Sequence, residues 1–101
     1  MRKEPPRAAE FRESDRLWMA LDPASREALR LGEGPAAGPA FFTSPEAVRD
    51  YARRAGLTGH EPYEVPAVVL SRMKGKPFYL DGVPGSIAEA VRRLRAQGAG
   101  D

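Results

Sequence analysis

His60 is the only histidine in the chain, and histidine is the side chain on which general-base chemistry near neutral pH most often relies. A Ser-His-Asp arrangement would have to recruit it with Ser44, Ser71 or Ser86. Ser44 and Ser86 are better explained as helix caps, and no Gly-x-Ser-x-Gly elbow exists. His60 therefore reads as a loop histidine. With no cysteine, a metal could draw only on carboxylates beside that one imidazole, and their spacing matches no metal-binding loop. The cluster to check is His60, Glu61 and Glu64. An enzyme built on this chain would need a pocket that gathers His60 with a carboxylate.

A second set of residues carries charge rather than a reactive atom. Arg72, Lys74 and Lys76 place three positive charges on one turn, with no acid between Ser71 and Leu80. Tyr79 is expected to point to the face opposite Phe78 and Leu80. A basic hairpin tip with an aromatic beside it can grip a phosphate backbone and stack a base. Short hairpins and edge strands also carry lysine simply to stay soluble and to discourage edge pairing. Arg53, Arg54, Arg92, Arg93 and Arg95 fall mostly in last helical turns, where cations offset the helix dipole. They add no independent nucleic-acid signal.

Composition bounds the rest. At 101 residues the chain is one domain by length, and 42% hydrophobic with 30% charged residues is the balance of a globular domain. The net charge of +2 is too small to demand an anionic partner. Absence of cysteine excludes disulfides, thiol catalysis and iron–sulfur clusters. No run approaches the ~20 apolar residues of a membrane helix, and Met1 to Pro6 lacks the apolar core of a signal peptide. The expectation is a cytoplasmic protein without a membrane partner. No Asn and a single Gln, Gln97, with abundant Arg and Pro, point to a thermophile or a GC-rich genome.

The elements that position these residues follow from period and caps. Val65-Pro66-Ala67-Val68-Val69-Leu70 is the most apolar and β-branched run, so it is expected to form a strand buried on both faces. Ala67 and Val69 would line one face, Val68 and Leu70 the other. Residues 1–9 read as a mobile tail, 10–97 as a single domain and 98–101 as a second tail. From Glu10 to Leu21, spacings of three and four favour a helix, while Leu17 to Leu21 also fits a buried strand. Asp22-Pro23 reads as a helix start that Gly32 stops. Gly32 to Pro39 reads as a flexible loop. It does not follow a strand or open a helix, so its glycines are not a dinucleotide-binding turn.

Ala40 to Phe42 is a short strand by the same criteria, and Thr43-Ser44-Pro45-Glu46 is a strong helix start. Either Ser44 caps with Pro45 in the first position, or Thr43 and Glu46 form a capping box. Val48, Tyr51, Ala52 and Ala55 make the apolar stripe, Asp50 and Arg54 can pair, and Gly56 closes the helix. Thr58 to Glu64 is a polar connection. Ser71 to Lys76 is a turn, with Pro77 to Leu80 returning antiparallel as an edge strand. Asp81-Gly82 is a turn, and Ser86 with Glu89 opens a last helix ending near Gly98. The strands at Phe41 and Val68, joined by a helix, are expected to be parallel.

The order of Phe42-Thr43-Ser44-Pro45-Glu46, a capped helix, a Val-Pro-led strand and Gly82-Val83-Pro84-Gly85-Ser86 resembles the SseB family of small bacterial domains, over residues 41–94. Val83 departs from that pattern, where the family tends to place Asn before Pro-Gly. The resemblance implies a non-enzymatic domain working through protein contacts. From Val65 onward the chain also resembles the end of a thioredoxin-like domain without its redox cysteines, which implies a scaffold without redox chemistry.

The expected fold is therefore α/β of the α+β kind. A small mixed sheet has a strand-helix-strand-strand-helix core with the helices packed on it, preceded by one or two helical or mixed elements. The expected function is a small binding module acting through protein–protein contacts, with a protein partner or a homo-oligomer joined along the edge strand near Phe78. The alternative is weak nucleic-acid binding through Arg72, Lys74 and Lys76 with Tyr79. No cofactor or metal is expected.

Overall fold

The computed structural model describes residues 11–98. The tail expected over 1–9 lies outside the described residues, as do residues 99–101 of the tail expected over 98–101, while Gly98 is the last residue of α2. Among the described residues, seven strands, β1 (Arg16–Asp22), β2 (Glu27–Ala28), β3 (Arg30–Leu31), β4 (Gly38–Phe41), β5 (Glu61–Pro66), β6 (Tyr79–Leu80) and β7 (Val83–Pro84), accompany two α-helices, α1 (Pro45–Ala55) and α2 (Ile87–Gly98). Within the same residues, 3-10 segments cover Gly34–Ala36 and Ala67–Met73. The class is α+β, as the order of caps and apolar runs implies. Among the described residues no helix is long and apolar enough to cross a membrane.

The strands form two small sheets, ordered β2-β1-β5 and β3-β4-β6-β7. They meet at Trp18 and Phe42, which exchange both backbone hydrogen bonds at 2.9 and 2.7 Å, and at Leu29, which links Ala20 to Ala40. Alternation along the strands divides the core in two. Leu17, Phe41 and Leu80 face the Ala67–Met73 segment and α2, packing with Ala67, Leu70 and Ala90. Ala20, Ala40 and Phe42 face α1 and pack with Val48. Helical elements therefore cover both sides.

Both α-helices begin where their caps predict. The Ser44 hydroxyl accepts from the Ala47 N–H at 3.0 Å with Pro45 in the first turn, and the Ser86 hydroxyl accepts from Glu89 N–H at 3.1 Å. Gly56 ends α1 in the left-handed conformation, with Leu57 N–H folded back on Ala52 C=O at 2.9 Å. Asp50 and Arg54 pair four residues apart at 3.0 Å. Of the two readings at the start of α1, the Ser44 cap is the one formed.

Thr43 instead reaches across the sheet. Its N–H and hydroxyl each donate to the Asp81 carboxylate at 2.9 Å, and Arg93 Nη1 donates to the same group at 3.0 Å. Asp81 and Gly82 both have positive φ, 53° and 92°, in the tight turn between β6 and β7. That is the backbone an Asp-Gly pair supplies. Glu89 holds Arg93 from the other side at 2.9 Å, so one network joins the end of β4, the β6–β7 turn and the first turns of α2.

Several expectations are overturned. Residues 16–22 are a strand rather than part of a helix, because their alternating faces meet separate core layers. Asp22-Pro23 opens the β1–β2 turn. The Asp22 carboxylate accepts from Ala24 N–H at 3.0 Å, the local bond that makes aspartate favourable in turns as well as at helix starts. The loop from Gly32 to Pro39 is not a flexible connection. It holds a 3-10 turn, its last two residues belong to β4, and Ala36 C=O accepts from the Tyr79 hydroxyl at 3.0 Å.

The largest correction concerns Val65–Leu70. The strand comes earlier, at Glu61–Pro66, so that it takes Glu61 to Glu64 from the stretch read as a polar connection and only Val65 and Pro66 from the run expected to form it, and Ala67–Met73 is helical. Ala67 and Leu70, three apart, are fully buried while Val68 is 41% exposed, which is the period of a 3-10 turn and not of a strand. Strand β6 then pairs parallel with β4, Ala40 opposite Tyr79 and Phe41 opposite Leu80, and is flanked by β7 on its other side. It forms no hairpin with 65–70 and is not an edge. The edge near Phe78 along which a homo-oligomer was expected to join is therefore not formed by β6.

Asp15 and Arg95 fasten the start of β1 to the last turns of α2, with Nη1 and Nη2 donating to the two carboxylate oxygens at 3.1 and 2.9 Å. The hydrogen bond from Arg95 holds the Asp15 carboxyl below its ordinary value of 3.8. A lowered folded-state value stabilises the fold above the unfolded value, and that contribution is lost as pH falls through the folded one. Asp15→Asn is expected to cost roughly 1–2 kcal/mol at pH 7, a discount on a fully buried pair because Arg95 is partly solvated. Urea denaturation of both proteins from pH 7 down to pH 2 checks this: the difference between them shrinks once the pH passes below 3.8.

Candidate functional site

Strand register brings the site together. Trp18 in β1 lies directly opposite Glu64 in β5, and Ala20 lies opposite Pro62, so these four side chains share one face. That is the face α1 covers. Pro45 and Arg49, one helical turn apart, overhang it, while Tyr51, Val48 and Ala47 pack more deeply against Ala20, Ala40 and Phe42. The space left between the helix and β5 is a cleft of about 640 Å³, lined by Trp18, Pro45, Arg49, His60, Glu61, Pro62 and Glu64.

The polar groups of the cleft are unevenly satisfied. Glu64 is held by Arg16 Nε at 3.1 Å, with both side chains substantially exposed. Arg49 and Glu61 are exposed, and among the described residues neither has an ion-pair partner. His60 is half-buried, and its Nδ1 is shut off from solvent without a hydrogen-bond partner, so only Nε2 is left to meet a ligand. Trp18 is half-buried at the junction of the two sheets.

The outer edge of β5 has an unusual donor balance. Trp18 directs both its backbone groups to Phe42, so Trp18 and Glu64 form a non-hydrogen-bonded pair across the β1–β5 ladder. By alternation Pro62, Glu64 and Pro66 all turn their backbone groups outward. Two of the three are prolines, and the Pro66 carbonyl is taken up in opening the Ala67–Met73 segment, which leaves Glu64 as the one N–H beside the carbonyls of Pro62 and Glu64. Another strand cannot pair along such an edge for more than one residue.

The sequence cluster His60, Glu61 and Glu64 is thus gathered into one cleft, joined by Trp18, Arg49 and the two prolines, which local spacing does not reveal. A solitary tryptophan in an alternating stretch was the available signal. Among the described residues no hydroxyl lines the cleft, and Ser44 is engaged as a cap. Among the described residues no three His, Asp or Glu side chains are grouped as a metal site requires.

The basic set fares differently. Lys74 and Lys76 line a second cleft, of about 340 Å³, with Met73, Phe78, Gly85, Ser86 and Ile87. Arg72 sits apart in the last turn of the Ala67–Met73 segment, which is no hairpin tip. Tyr79 does lie on the face opposite Phe78 and Leu80, as expected, but there it packs against the α1-side core and its hydroxyl donates to Ala36 C=O, so it does not line the cleft that holds the lysines. Set against protein-family models, curated proteins and solved structures, the chain matches none.

Proposed function

We propose that this protein is a non-catalytic binding module acting through protein contacts, and that the cleft between α1 and β5 is the contact surface. One observation carries the reading: a half-buried tryptophan lines an open cleft of about 640 Å³ with Arg49 and Glu61, neither of which has an ion-pair partner among the described residues. Aromatic anchors framed by polar groups are what protein-binding surfaces are enriched in. Histidine in a cleft that no described hydroxyl lines supports binding over catalysis. The proline-studded edge of β5 favours a partner that inserts side chains over one that adds a strand.

A photo-crosslinking residue placed at position 49, with one at exposed Arg92 on α2 as reference, tests this in the native cell. Discrete protein adducts from position 49 are expected, absent from position 92, resistant to nuclease and lost when Glu61→Arg is added. Identical adducts from both positions, none from position 49, or adducts removed by nuclease would overturn it.

A second reading is favoured by the other cleft, where Lys74 and Lys76 stand beside the first turn of α2 and no acid lines the site. It is weak binding of single-stranded nucleic acid. With Arg72 apart from the cleft, two phosphate contacts at ~0.7 each give a slope of about −1.4 for log affinity against log salt. Lys74→Glu with Lys76→Glu is expected to abolish that binding, measured by fluorescence anisotropy of a labelled oligonucleotide. Salt-independent affinity, or affinity unchanged in the double variant, rules the reading out.

A further inference from the structure

Independently of the cleft between α1 and β5, we infer that the smaller cleft lined by Lys74 and Lys76 receives an acidic segment of a protein, which seats one aliphatic side chain between its carboxylates. Charge decides the first half of the match. Lys74 and Lys76 stand on either side of Gly75, both exposed, and neither has an ion-pair partner among the described residues. Among the described residues no Asp or Glu lines the cleft. Asp81 and Glu89, the acids nearest to its lining in the chain, are both held by Arg93. The Ser86 hydroxyl accepts from Glu89 N–H at 3.1 Å, which leaves its proton to donate. Each polar side chain of the lining thus has a proton to offer and two carry positive charge, so the complement is a ligand that bears carboxylates. Gly75 keeps the approach between the lysines open, since nothing lies within 4 Å of where a Cβ would stand.

The apolar lining decides the second half. Met73, Phe78 and Ile87 all belong to, or pack against, the core layer that contains Leu80 and Ala90. Phe78 is 4% exposed, with its ring edge-on to Phe41 at a centroid distance of 6.1 Å, so it offers no free face on which a base could stack. A nucleic acid would gain two phosphate contacts there and no stacking platform, whereas an aliphatic side chain gains burial. Methionine, unbranched and polarizable, adapts its shape to such an occupant. At about 340 Å³ the cleft is at the small end of those that hold ligands, which suits one side chain and the residues beside it.

The experiment titrates the full-length protein into fluorescently labelled synthetic peptides of one length. The first has a leucine with two glutamates on each side, the second has serine for the leucine, and the third has glutamine for every glutamate. A single-stranded oligothymidylate of equal charge is run beside them. Saturable anisotropy is expected with the first peptide. Affinity is expected to fall about tenfold or more with serine, the worth of one buried aliphatic side chain, and at least as far with glutamine. Lys74→Ala with Lys76→Ala, both at exposed positions, is expected to lose the same binding while keeping the urea midpoint. Equal binding of the serine peptide, binding unchanged in the lysine variant, or no binding of the first peptide overturns the inference. Tighter binding of the oligothymidylate also overturns it, in favour of the nucleic-acid reading. None of these outcomes bears on the cleft between α1 and β5, which the adducts from position 49 test by themselves.

Discussion

Gly38→Ala is expected to destabilise the fold by at least about 3 kcal/mol, enough to leave much of a marginally stable domain unfolded. A Cβ at this position would stand 2.2 Å from Pro77 O and 2.7 Å from Pro77 C. Both are backbone atoms of the segment leading into β6, so no side chain can swing aside to relieve the overlap. Gly38 is buried at the start of β4, and the chain there has an ordinary backbone conformation. The penalty is therefore steric, arising from close approach of two main chains. Gly34 provides the contrast. Its φ is +57° and nothing lies within 4 Å of an added Cβ, so Gly34→Ala is expected to cost only about 1–2 kcal/mol of left-handed backbone strain. Urea midpoints of the two variants separate the effects; a Gly38→Ala protein as stable as Gly34→Ala would show that the β4 and Pro77 backbones can part.

Asp81→Ala is expected to cost about 3 kcal/mol. Thr43 is 8% exposed, so its N–H and hydroxyl would both lose their acceptor away from water, and each such loss costs roughly 1 kcal/mol or more. Arg93 would lose one of its two carboxylates. Alanine at φ 53° adds backbone strain that aspartate tolerates better. Asp81→Asn separates these contributions. It keeps tolerance of the left-handed conformation and an oxygen for Thr43 N–H while removing the charge, so a loss of about 1–2 kcal/mol is expected from thermal or urea unfolding. Equal losses for Ala and Asn would assign the whole effect to charge.

The parts of this fold legible in the sequence are those fixed by neighbours in the chain. Ser44 with Pro45, Gly56 with Leu57, Asp81-Gly82 and Ser86 each fix a helix end or a turn within four residues, and all four are realised. Strands depend on partners far away, and there the local signal misleads. Glu61 to Pro66 contains two prolines and two glutamates, which is loop chemistry unless the residues face an unpaired edge. Val65 to Leu70 is apolar whichever period is imposed on it, so only the surroundings choose between strand and 3-10 turn. The same limit governs the site. His60, Glu61 and Glu64 are close in sequence and could be grouped by inspection, whereas Trp18 and Arg49 arrive through β1–β5 register and helix packing.

The parallel pairing of β4 with β6 bears on how the molecule comes into being. Phe41 and Leu80 are separated in the chain by all of α1, β5 and the Ala67–Met73 segment, so closing that loop precedes any reward from the contact. On a ribosome, β1, β4, α1 and β5 can assemble around Ala20, Phe42 and Val48 while β6 is still unmade. The second core layer, with Leu80 and Ala90, waits for the last third of the chain. Until then Leu17 and Phe41 are only partly covered, by Ala67 and Leu70, which makes the synthesis of β6 and α2, and not formation of the α1–β5 cleft, the step at which the nascent protein is most exposed to chaperones and to aggregation.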